Sequence, residues 1–135
     1  SRGVLLPCYP HCRRLEMIDY ARYQTGEKND ILVLKVSGKL DDDTSGYLFD
    51  CVEHEIESGS NKIILDFAEL DHISSLGLGT LVRIHSRMHS KGGNVQFAHF
   101  EGLAAEIVRA VGLNKLFHFH SSIDDACTAF ENQVS

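Results

Sequence analysis

Two adjacent hydroxyls, Ser74 and Ser75, sit in the stretch LDHISSLGLGTLV, between an apolar run and a segment with glycines at 77 and 79 and leucines at helical spacing. A serine at the start of a helix has three uses. It can cap the helix, help the unpaired N–H groups cradle an anion, or accept a phosphate that the helix dipole tolerates. Capping is the plainest of the three, because serine is a favoured N-cap residue. Hydrolysis is excluded: there is no G-x-S-x-G elbow, and only the isolated His72 lies nearby as a base. GLGT lacks both the lysine and the glycine spacing of a phosphate-binding loop.

Other reactive side chains form weaker patterns. His85 and His89 are four apart on one predicted helix, a spacing compatible with metal, but no Cys or carboxylate set completes the site. His118 and His120 flank Phe119 on a predicted strand and so share one face. Cys8, His11 and Cys12 in CYPHC supply three zinc-competent ligands without a fourth. Neither a metal nor a cofactor is expected. Asp41, Asp42 and Asp43 precede a helix, where the dipole alone favours negative charge.

The elements that position these groups follow from periodicity. MIDYARYQ (17–24) and ILVLKVSG (31–38), separated by TGEKND, read as a hairpin. A helix of about three turns follows, with Thr44 available as cap, Tyr47, Leu48, Cys51, Val52 and Ile56 at helical spacing, and Gly59 as stop. NKIILDFA is a continuous apolar run, the mark of a strand covered on both faces. After a short loop and Ser75, the residues Leu78, Leu81, Val82, His85 and Met88 fall on one stripe that ends near Gly92 and Gly93. VQFAHF and KLFHFH are predicted strands, and LAAEIVRAVGL and SIDDACTAFENQ predicted helices. The order β, β, α, β, α, β, α, β, α predicts an α/β fold: an opening hairpin in a mixed, mostly parallel sheet of about five strands, with about four helices.

The chain has 135 residues, enough for one core. Hydrophobic residues at 43% and charged residues at 24% are ordinary for a globular domain and argue against disorder. Thirteen Lys and Arg face 19 Asp and Glu, a formal charge of −6, and the longest basic block is Arg13-Arg14. Nucleic acid is therefore not an expected partner. No apolar run reaches the roughly 20 residues of a membrane helix, so no membrane partner is expected either. Residues 1–16 hold both prolines and show neither period. They read as an N-terminal extension, too short and broken for a signal peptide, ahead of a domain at 17–135. A cytoplasmic protein is expected, with its four scattered cysteines reduced and Cys51 and Cys127 as small core residues. An exposed stretch around Val4–Leu6 would favour homo-oligomers.

Over about residues 31–131, four signatures occur in order: LVLKVSGKLDDDTSGYL, KIILDFAELDHISSLGLGTLV, a Gly-Gly pair before a strand, and AVGLNKLFHFHSSIDDA. Together they resemble the STAS domain of bacterial anti-sigma factor antagonists. The resemblance implies the STAS fold and a non-enzymatic role in transcription regulation: binding an anti-sigma factor that is also a GHKL-type serine kinase, and release once that kinase phosphorylates the antagonist. A PP2C-type phosphatase would reverse the modification. Alignment on Gly77-Leu78 implies that Ser75 is the acceptor, followed by Leu76 and Gly77. Ser74 stands where the family's usual turn has aspartate, as in a widespread variant of the turn. Asp41 matches the acidic residue after the second strand, and Asp66 the polar position at the end of the central strand; both are expected on the same edge as Ser75. The alternative reading is a STAS module that binds a small ligand or nucleotide, or that serves as a scaffold in a sensory assembly, with Ser75 only a cap.

Overall fold

The computed structural model describes residues 5–6, 18–25, 30–100, 103–110, 112 and 119–132. The strands are β1 (Leu5–Leu6), β2 (Ile18–Thr25), β3 (Ile31–Leu40), β4 (Lys62–Ile73), β5 (Asn94–Ala98) and β6 (Phe119–His120). The helices are α1 (Ser45–Glu57), α2 (Ser75–Ser90), α3 (Leu103–Ala110) and α4 (Ile123–Asn132). One six-stranded sheet runs β1-β2-β3-β4-β5-β6, antiparallel from β1 through β3 and parallel from β3 through β6. The mixed α/β architecture is the predicted one. It has one strand more than expected, because Leu5 and Leu6 pair with Tyr23 and Arg22.

Strand alternation divides the core between the two faces. On one face Leu32, Leu34 and Val36 of β3, Ile63, Leu65 and Phe67 of β4, and Val95 and Phe97 of β5 meet α1, α2 and α3. On the other face Ile31, Val33, Ile64 and Ala98 meet Ala126 and Phe130 of α4. Each strand residue is committed to its face by the pleat, so the central apolar runs of β3 and β4 need cover on both sides.

The boundary that matters most is the end of β4. The sequence reading stops this strand near Ala68 and inserts a loop before the serines, but the strand continues through LDHI to Ile73. It can do so because β3 runs beside it to the end. β5 pairs with β4 only as far as Asp66, whereas β3 stays paired up to Leu40↔Ile73. Register shifts flank Ser37 and Gly38, and Gly38 takes a positive φ of 99° that the bulged strand requires and glycine accepts without strain. The period-2 signal of LDHI is weak because most of this extension is solvated: Ala68, Glu69, Asp71 and His72 are exposed.

Cys51, fully buried on α1, is disulfide-bonded and not a reduced core thiol, while Cys127 forms no disulfide. Residues 113–118, with most of the predicted KLFHFH strand, lie outside the described residues, as do Val4 and the CYPHC group.

Candidate functional site

Because β3 and β4 end side by side, the loop that enters α1 and the turn that enters α2 meet. Ser74 bridges them. Its backbone N–H donates to the Leu40 carbonyl at 2.9 Å, and its own carbonyl accepts from Leu78 N–H at 2.9 Å. With φ −94° and ψ 174°, Ser74 is extended and caps α2, its hydroxyl oxygen accepting from Gly77 N–H at 3.1 Å. The same hydroxyl donates to Asp42 Oδ1 at 3.2 Å. The cap expected of Ser75 therefore belongs to Ser74, because β4 runs one residue short of it and leaves it the extended backbone that a cap needs.

Ser75 is instead the first residue inside α2. It is exposed, and among the described residues its hydroxyl makes no hydrogen bond. Leu76 beside it is 52% exposed, the large hydrophobic side chain most open to solvent among the described residues. Gly77 turns inward: a Cβ there would come 2.5 Å from the Leu40 carbonyl oxygen and 2.9 Å from an Ile73 side-chain carbon. The helix thus starts pressed against the strand ends, with Ser75 and Leu76 facing out. No acidic residue lies in the first turn of α2, while Arg87 and His89 occupy its last turn and complement the dipole.

Asp41 is brought to the same edge, but its carboxylate is turned into its own loop. Oδ1 accepts from Asp43 N–H at 3.0 Å and Thr44 N–H at 3.3 Å, and lies 3.2 Å from the Thr44 hydroxyl oxygen. Thr44 makes no side-chain cap for α1 and donates to the Lys39 carbonyl at 2.8 Å. Asp41 therefore organises the entry to α1. Farther along, two contacts join the bodies of the helices: the Arg83 guanidinium carbon lies 4.1 Å from the centre of the Phe49 ring, and Arg87 Nε is 2.6 Å from Glu53 Oε2.

Asp66 is not part of this group. It is buried seven residues before Ile73, about 23 Å along an extended strand. Its position in the pleat is that of Ile64, the face toward α4, opposite α2. There its Oδ1 accepts from Ala68 N–H at 3.0 Å. Burial, followed by the nearby charges of Asp66, Cys127 and Asp124, raises the Tyr23 pKa above its ordinary value. The expectation of a shared edge placed the end of β4 near Ala68, close to Asp66, whereas the strand runs on to Ile73.

The STAS domain family model matches residues 22–126. The chain belongs to the STAS domain family. It is similar to a solved anti-sigma factor antagonist from Mycobacterium paratuberculosis, with a TM-score of 0.75 and 20% identity, covering 93% of this chain and 99% of that one. It shares the fold of SpoIIAA, the Bacillus cell-fate determinant, in its phosphorylated form, with a TM-score of 0.61 and 15% identity over 81% and 98% of the two chains. A candidate anti-sigma factor antagonist of Bordetella bronchiseptica, BtrV, is 22% identical over 80 residues, 59% of this chain and 69% of BtrV.

Among the described residues of this STAS domain, the remaining reactive side chains do not gather into a second site. The His85 and His89 rings stack at 6.3 Å, and among the described residues no group of three or more His, Cys, Asp or Glu could hold a metal ion. His120 Nε2 is 2.7 Å from Gln96 Oε1. No helix among the described residues is long and apolar enough to cross a membrane. Asp42 is the participant that sequence reasoning missed. In the run DDD nothing distinguishes the middle carboxylate; only the Leu40↔Ile73 register brings it to Ser74.

Proposed function

We propose that this STAS domain is an anti-sigma factor antagonist, non-enzymatic and cytoplasmic, whose docking to an anti-sigma factor is toggled by phosphate on Ser75. The observation that carries the reading is the division of labour between the two serines. Ser74 caps α2, and Ser75, exposed at its first position, has a hydroxyl engaged by no described residue. The partner is an anti-sigma factor that is also a GHKL-type serine kinase. A PP2C-type phosphatase restores the docking form.

The unmodified surface is small and neutral, with Leu76 offering apolar area to a partner. A phosphate there adds about −1.5 to −2 charge and three acceptor oxygens. The N–H groups that open the helix and its dipole tolerate that charge, so the fold keeps its stability while the complementary surface is lost through bulk and desolvation. A loss of about 3 kcal/mol of binding weakens a complex more than a hundredfold.

The test is to incubate the chain with a GHKL-type anti-sigma kinase and ATP and to locate the phosphate by mass spectrometry. Ser75 carries it. Ser75→Asp weakens the complex with little change in melting temperature, and Ser75→Ala keeps the complex and abolishes labelling. Equal kinase binding by Ser75→Asp and the unmodified chain sinks the switch.

A further inference from the structure

We infer that Asp42 selects the phosphate acceptor, because its carboxylate holds the hydroxyl of Ser74 in the capping position and leaves Ser75 as the serine free to react. The inference rests on the switch reading above and adds a positioning residue to it. The two hydroxyls are adjacent in sequence and belong to the same exposed turn, so proximity alone does not tell a kinase which to use. Their surroundings do.

Ser74 Oγ is held from two sides: it accepts from Gly77 N–H at 3.1 Å and gives its proton to Asp42 Oδ1 at 3.2 Å. A single bond to Gly77 N–H would leave the hydroxyl proton free and the rotamer able to swing outward. The second bond closes that freedom. Phosphoryl transfer to Ser74 would form a bond between its Oγ and the γ-phosphorus of ATP, break the bond to the β–γ bridging oxygen, release ADP and hand the hydroxyl proton to a base of the kinase. For Ser74 this sequence first gives up the helix cap and the bond to Asp42. For Ser75 it gives up no bond to any described residue.

Asp42 can act at this distance in sequence because its own loop is anchored. Ser74 N–H is bonded to the Leu40 carbonyl, and Asp41 ties Asp43 and Thr44 into the turn that carries Asp42. Asp42 itself is exposed, so its replacement leaves the core intact.

The experiment compares the full chain, Asp42→Ala and Asp42→Asn, each incubated with ATP and an extract of the host cell, with fragment ions separating phosphate on residue 74 from phosphate on residue 75. The full chain is labelled at Ser75. Asp42→Ala raises the Ser74-to-Ser75 ratio about fivefold, the factor one exposed hydrogen bond is worth. Asp42→Asn keeps the Ser75 pattern, because its amide oxygen still accepts the Ser74 proton. Asp42→Ala labelled at Ser75 as cleanly as the full chain overturns the inference, and so does Asp42→Asn behaving like Asp42→Ala. A full chain left unlabelled at Ser75 overturns the switch reading itself, a result distinct from both. Melting curves of the three proteins, expected to coincide, show that the variants are folded.

Discussion

Ser74 and Ser75 have the same side chain and differ by one step along the backbone, yet they take opposite roles. The difference is conformational. At ψ 174° the Ser74 hydroxyl reaches back to the Gly77 N–H, whereas Ser75 has entered the helix and its side chain points to solvent. Ser74→Ala should cost about 1 kcal/mol of stability, the usual worth of a lost cap, and Ser75→Ala close to nothing. Urea melts of the two variants side by side check this, and equal losses would mean that the caps are assigned wrongly.

At the scale of elements, α2 is seated by a glycine that has no room for a side chain. Gly77→Ala forces a Cβ against the Leu40 carbonyl and Ile73, and is expected to cost about 1–3 kcal/mol by overpacking. Gly79, two residues on, has nothing within 4 Å of where its Cβ would lie. Gly79→Ala should therefore stabilise the helix, by up to about 1 kcal/mol. Opposite shifts in melting temperature for the two alanines check the seating of the helix. Two shifts of the same sign would show that α2 does not rest on the end of β3.

At the scale of the whole molecule, the sheet keeps two chemistries apart. The edge built by β3 and β4 carries the serines, while the face under α4 carries Asp66, Tyr23, Cys127 and the half-buried Gln96–His120 contact. With its pKa raised, Tyr23 holds its phenol proton more tightly in the folded chain than in the unfolded one. Its contribution to stability is fully present below the ordinary value of 10.0 and is lost as pH rises through the higher folded value. Unfolding free energies measured from about pH 9 to about pH 11 should decline for the parent chain and decline less for Tyr23→Phe. Identical slopes would remove Tyr23 from the account.

Periodicity and turn residues were enough to determine the order of elements from β2 onward, the two-sided cover of the central strand and the helix that begins at the serines, while the four ordered signatures carried the STAS resemblance. These are local properties: the apolar run of ILVLKV, the stripe from Leu78 to Met88 and the stop at Gly92 are all written within one element. The tertiary structure alone decided how far β4 runs, which serine caps, which of three consecutive aspartates meets Ser74, and on which face Asp66 lies. Each of these depends on the β3–β4 register and its bulge. Register is a property of two strands at once, and a shift of one residue exchanges the faces of every side chain beyond it.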